Sequence, residues 1–247
     1  MHLLNALPPG LLRGLFRRVL VLAPCTGSLP AASATIDWAE PQNIAGASDV
    51  STRGRLVVAV NGTAQGHAEG VTRVNGVDFQ NLDVAGANAL PHLSLTFNPG
   101  RNNAKVFGSG NLEGEITKLV RGGIYGGTGP NPAPYKAAFS GLVVGASYEI
   151  QLFVNDARRN RDEDWATCLS NGRDDGADAA VVSLSNAGQG VPTGDFIVGT
   201  FVADADTQAF LFNGFRDGGV TVGAVGRAHI NAIQLRLIGD AEPAEPE

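Results

Sequence analysis

Lysine is almost missing from this chain: Lys105, Lys118 and Lys136 are the only three among 247 residues. Cysteine is scarcer, at two, and aromatic side chains make up 6%. No apolar run approaches the roughly 20 residues that a membrane-spanning helix needs, which excludes stable insertion by that route. Basic residues number 18 against 24 acidic ones, a formal charge of −6. Three of the basic residues, Arg13, Arg17 and Arg18, fall within residues 1–34, which hold no acid. Beyond that segment the surplus of acid is larger still, so nucleic acid is excluded as a partner and adhesion to anionic lipid is disfavoured. With Cys25 in the same segment, Cys168 has no internal disulfide partner. Stability must then come from a packed core, which a chain of this length can bury. A small buried hydrophobe on a strand is the default role for Cys168.

What is present begins with an export signal. The arginines precede the apolar run Val19 to Ala23, and the small-residue site Ala32-Ser33-Ala34 follows. Residues 1–34 are therefore expected to be a signal peptide, removed after Ala34, with the protein secreted or held at the cell surface. At the other end Asp240-Ala241-Glu242-Pro243-Ala244-Glu245-Pro246-Glu247 has no large apolar residue to pack, so 240–247 is expected to be a disordered acidic tail. Residues 35–239 remain as one domain.

That domain reads as all-β. Glycine is frequent, at 33 residues, and apolar runs are short and rich in β-branched residues. Tyr148, Ile150, Leu152 and Val154 alternate with Glu149, Gln151 and Phe153, a period of two that predicts a strand. Asn75-Gly76 between Val74 and Val77 supplies the two positive φ angles of a type I′ turn and predicts a hairpin. Further strands are expected over 36–38, 56–60, 93–97, 137–139, 165–169, 181–184, 196–202, 208–212 and 230–237, about ten to twelve in all, enough for a sandwich of two antiparallel sheets of jelly-roll type. Leu112, Ile116, Leu119 and Val120 fall at helical spacing, with Asn111 as N-cap and Gly122-Gly123 as a stop, so one short helix is expected over 112–121. The Gly- and Pro-rich stretch 122–135 is expected to be a long surface loop.

The densest polar stretch, Asn155 to Trp165, follows the strongest strand and is expected to form a hairpin tip at one rim. Carbohydrate recognition uses planar donors and acceptors for hydroxyl pairs and an aromatic face for the ring. Asn155, Asp156, Arg158, Arg161 and Trp165 are of those types, and Tyr125 is a second stacking candidate. The competing reading is a solvated loop whose charges pair among themselves. Asn171-Gly172-Arg173-Asp174-Asp175-Gly176-Ala177-Asp178 could offer oxygen ligands to calcium, though without the spaced ligands and closing Glu of a calcium loop, and reads first as an Asn-Gly turn. Asp204 and Asp206 read as turn formers. His67, His92 and His229 have no metal-type neighbour at useful spacing, and serine occurs without a nucleophile elbow. Glu113 and Glu115 are close in sequence but point to different faces of the expected helix, so no facing pair of catalytic carboxylates is visible. No cofactor is expected.

Several stretches resemble an uncharacterised domain of secreted bacterial proteins, often in chains with a PEP-CTERM sorting tail. They are Ile36-Asp37-Trp38 with Asn43-Ile44 and Asp49-Val50-Ser51-Thr52, then Val74-Asn75-Gly76-Val77-Asp78-Phe79, Gly141-Leu142 through Arg158, Gly199-Thr200-Phe201-Val202-Ala203-Asp204, and Asn231-Ala232-Ile233-Gln234-Leu235-Arg236. In layout the chain is also similar to malectin and the galactose-binding-like jelly rolls. The first resemblance implies a jelly-roll sandwich and an extracellular home; the second adds sugar binding. A non-catalytic binding module for extracellular carbohydrate is thus the leading expectation. A structural or adhesive surface protein, with an apolar patch around Phe153, is the second, and a polysaccharide-acting hydrolase the third.

Overall fold

In a computed structural model the described residues are 34–63, 70–82, 90–96, 102–126, 135–157, 165–172, 182–185, 193–216 and 229–240. Their strands are β1 (Asp37–Trp38), β2 (Gln42–Asn43), β3 (Arg55–Gly62), β4 (Val71–Val74), β5 (Val77–Leu82), β6 (Leu93–Thr96), β7 (Asn102–Val106), β8 (Gly122–Gly126), β9 (Tyr135–Ser140), β10 (Ser147–Val154), β11 (Trp165–Leu169), β12 (Val182–Ser185), β13 (Asp195–Val202), β14 (Thr207–Arg216), β15 (His229–Ile230) and β16 (Ala232–Gly239). One turn of 3-10 helix, Ala47–Asp49, and one α-helix, α1 (Ile116–Val120), complete the set. The fold class is all-β, as expected.

The larger sheet runs β1-β13-β10-β16-β3-β5-β4, with β2 also paired to β13; the second runs β12-β11-β14-β9-β6. Alternation builds one core between them. From the larger sheet come Val60, Tyr148, Ile150, Leu152, Val154, Ile197, Phe201, Ile233 and Leu235, and from the second Leu93, Leu95, Tyr135, Ala137, Phe139, Leu169, Phe210 and Phe212. Trp38 packs at the edge of this core, its ring edge-on to Phe210 and its indole N–H donating to the Ser170 carbonyl at 2.8 Å.

Two details differ from the expected pair of antiparallel sheets. β3 and β5 are parallel, and β7, β8 and β15 form a third, three-stranded sheet. The first follows from the turn chemistry. Asn75 (φ 48°) and Gly76 (φ 76°) adopt the positive angles of the expected tight turn, so β4 is antiparallel to β5. Because β5 rather than β4 lies beside β3, that neighbour runs the same way as β3 and β4 becomes the edge. The second detail corrects the long loop over 122–135. Its first five residues are strand β8, and Tyr135 opens β9.

The expected helix over 112–121 is shortened to five residues. Gly114 takes φ +72°, outside helical space, so the helix starts only after it, with Glu115 rather than Asn111 at its cap. The apolar spacing still has its use: Leu112, Ile116, Leu119 and Val120 all enter a second core with Phe153, Phe196, Ala232, Ile44, Val50 and Phe79. That core covers the outer face of the larger sheet. Phe153 is fully buried there, so the apolar surface expected around it is interior.

Candidate functional site

The outer face of the larger sheet changes character along β10 and β16. Beyond Phe153 and Ala232 come the register pairs Gln151↔Gln234 and Glu149↔Arg236, four polar side chains that are all buried. Their partner is a strap of chain, residues 49–54. Gln151 accepts from the Ser51 N–H (2.9 Å) and donates to the Asp49 carbonyl (2.7 Å), while Gln234 donates to the Ser51 carbonyl (3.1 Å). Arg236 donates to the carbonyls of Arg53, Thr52 and Gly54. Burial pulls the Arg236 guanidinium below its ordinary range, and the Glu149 charge opposes that shift. Six of these bonds join the sheet to the strap's backbone, and Ser51 Oγ also donates to Glu149, so this face holds the strap down and is closed to a ligand.

The rim where β10 ends is organised differently. Asn155 is fully buried and its polar atoms are all engaged. Its amide nitrogen donates to the Gly108 carbonyl (2.8 Å), its amide oxygen accepts from the Gly194 N–H (3.1 Å), and its backbone N–H donates to Asn231 Oδ1 (2.6 Å). Asn231 Nδ2 in turn donates to the carbonyls of Gly122 (2.6 Å), Val120 (2.8 Å) and Asn155 (3.1 Å). Two buried asparagines, 76 positions apart, thus tie the ends of β10, α1, β8 and β13 together. Asparagine suits both places because one planar amide presents donors and an acceptor at once.

His229 lies at the same place, 2% exposed, stacked on Phe107 with ring centres 4.4 Å apart. Its Nε2 faces the Asn155 carbonyl at 3.2 Å, and since a carbonyl only accepts, Nε2 carries the proton. Three elements meet around it. Asn155 contacts its ring; Tyr125 is its register partner across β8 and β15; and Thr167 Oγ donates to its carbonyl at 3.1 Å, two residues along β11 from Trp165. Gly123 makes this closeness feasible, because a Cβ there would stand 2.6 Å from the Phe107 ring.

Of the six residues expected to bind ligand, Asn155 serves the fold and Asp156, 7% exposed, is buried beside it. Only the backbone of Tyr125 and Trp165 is described, in β8 and β11; their side chains, with Arg158 and Arg161, lie outside the described residues. β10 belongs to the larger sheet and β11 to the second, so these two strands are not a hairpin pair; residues 158–164 of the expected tip lie outside the described residues. His229 and Asn231 were not singled out by sequence, since nothing local to either marks a partner at Asn155.

The remaining acids sit apart from this rim. Glu113 and Glu115 are exposed on the approach to α1, Asp204 and Asp206 lie in the β13–β14 turn as expected, and His92 is exposed with Nδ1 3.0 Å from the Ser140 carbonyl. Among the described residues no three of His, Cys, Asp or Glu are grouped to hold a metal ion. His67 and the acids Asp174, Asp175 and Asp178 lie outside the described residues, as do the side chain of Cys168 and the segments 1–33 and 241–247. Among the described residues no helix is long and apolar enough to cross a membrane. Compared with known proteins, the chain matches no family model, no curated protein and no solved structure.

Proposed function

We propose that this is a secreted, non-catalytic binding module for extracellular carbohydrate, built on a jelly-roll-type sandwich and binding at the rim around His229. The observation that supports the reading most directly is convergence. The strands bearing Tyr125 and Trp165 and the segment carrying Asp156 all meet at His229, although these three residues lie 64 to 104 positions from it in sequence. The backbones of Tyr125 and Trp165 and the Asp156 segment thus share one end of the sandwich, and Arg158 and Arg161 follow Asp156 closely in sequence. In this arrangement Asn155 is a positioning residue, and the sugar meets Trp165, Tyr125 and the two arginines. A glycan array tests it: Trp165→Ala and Arg158→Ala are expected to abolish binding while circular dichroism stays unchanged. Silence of the well-folded wild-type protein on a broad array would overturn it.

One observation favours the second reading, an adhesive protein with protein partners. Val143, Val144 and Val202 are each more than half exposed and belong to the turns at the other end of the sandwich, where the Gly145 N–H donates to the Ala203 carbonyl. Self-association on sedimentation, lost on Val143→Ser with Val144→Ser, would support it over carbohydrate binding.

A further inference from the structure

Where export cuts the leader is a separate matter, and it rests on the secreted reading above. At the small-residue site 31–34, two cuts put small residues at the first and third positions before the bond: Ala32 with Ala34, which releases Thr35, and Ala31 with Ser33, which releases Ala34. The small-residue rule does not choose between them, but the fold does.

Ala34 is built into the domain on both sides of its Cα. Its N–H donates to Asp204 Oδ1 at 3.1 Å, and its carbonyl accepts from Gln208 Nε2 at 2.9 Å. Gln208 is 1% exposed, so that acceptor replaces water. Gly172 makes room for the contact: a Cβ there would stand 2.9 Å from the Ala34 carbonyl oxygen and 2.6 Å from Gln208 Nε2. The next anchor, the Ile36 N–H on the Asn171 carbonyl at 2.7 Å, continues the same seam. A chain starting at Thr35 would discard the Gln208 acceptor and the Asp204 donor together.

The neighbourhood also has acceptors to spare. Gln208 Oε1 and Asn171 Oδ1 are buried atoms without a hydrogen-bond partner, on the two residues that grip the 34–36 segment. A peptide N–H at Ala34 offers one hydrogen, whereas an α-ammonium offers three and carries the charge that Asp204 complements.

We propose that the leader is cut between Ser33 and Ala34, so that the mature chain begins with the α-ammonium of Ala34 seated against the Asp204 carboxylate. Water adds across that amide under a leader peptidase. Ser33 leaves as a carboxylate on the released leader, and Ala34 keeps the amino group, protonated at neutral pH. Seating the new terminus would close the first strand onto the β13–β14 turn as soon as the chain folds.

The test is to express the full chain with its leader in a bacterium and to read the exported protein by intact mass and amino-terminal sequencing. A single species beginning Ala-Thr-Ile-Asp-Trp is expected. A start at Thr35 would overturn the cut site while leaving export intact, whereas an uncut chain kept in the cytoplasm would overturn the export reading itself. The charge pair has its own readout in the exported protein: the α-amino group should titrate above its ordinary range of about 7.7 to 8.0 and return to it in Asp204→Asn. Identical titration in the two proteins would overturn the seating.

Discussion

Removing the Asn231 side chain should cost more than any other polar truncation of comparable size in this protein. In Asn231→Ala the buried Asn155 N–H loses the amide oxygen 2.6 Å away, and the Gly122 carbonyl loses its donor, also at 2.6 Å. The carbonyls of Val120 and Asn155 lose one donor each but keep Asn155 Nδ2 and His229 Nε2. Two buried groups stripped of a partner cost about 1–3 kcal/mol each, so a loss of about 4 kcal/mol is expected. For a domain of this size that corresponds to a fall in Tm of roughly 8–16 °C. Asn231→Asp sharpens the test. Its carboxylate still accepts from the Asn155 N–H, but the other oxygen meets three carbonyls where a donor stood. The introduced acid must then have a folded pKa above its unfolded value of about 3.9, so the variant is least impaired below that pH and loses stability as pH rises toward the folded value. Chemical denaturation followed by circular dichroism at several pH values measures both. An alanine variant within about 0.5 kcal/mol of wild type, or an aspartate variant indifferent to pH between about 4 and 7, would refute the role given to the Asn155–Asn231 pair.

Arg236→Met should free the strap from three backbone carbonyls, so trypsin should nick the chain after Arg53 or Arg55 at least tenfold faster than wild type, with stability lowered by about 2–4 kcal/mol; an unchanged digestion rate would contradict the strap assignment. Gly54 has φ +62° and a Cβ there would stand 2.1 Å from the Leu237 carbonyl oxygen, so Gly54→Ala is expected to destabilise by about 3 kcal/mol or more on chemical denaturation. The Arg73 guanidinium holds the Asp78 carboxyl below its usual range. NMR titration should show that depression vanish in Arg73→Ala and shrink in high salt. Any stability from this exposed pair is present above the unfolded pKa of Asp78 and is lost as pH falls through the lowered folded value.

Local chemistry made much of this fold legible. Alternation over 148–154 gave β10 its two faces, and Asn75-Gly76 gave the hairpin, because strand period and positive φ are written in adjacent residues. The spacing of Leu112, Ile116, Leu119 and Val120 told which side chains are buried but not how long the helix is. A single glycine decided that, through a φ angle that spacing does not encode. β8 was hidden because glycine-rich sequence reads as loop, whereas here Gly123 lets the backbone approach Phe107 and Gly62 of β3 leaves room for β8 alongside. The site was legible in part for the same reason. Residue types suited to sugars could be picked from 155–165, but that Asn155 is consumed by Asn231 and His229 depends on contacts more than 70 positions distant. Which sheet β11 joins is likewise a matter of pairing, and it separates β11 from β10.

The two tryptophans allow the functional claim to be tested within one spectrum. Trp38 has its indole N–H on the Ser170 carbonyl, away from the His229 rim, and serves as an internal reference. When oligosaccharides that score on the array are titrated into the ¹⁵N-labelled protein, the Trp165 indole resonance and the Tyr125 and Asp156 amides should shift together while the Trp38 indole stays put. Shifts confined to Val143, Val144 and Val202, or none at all at saturating sugar, would contradict carbohydrate binding at this rim.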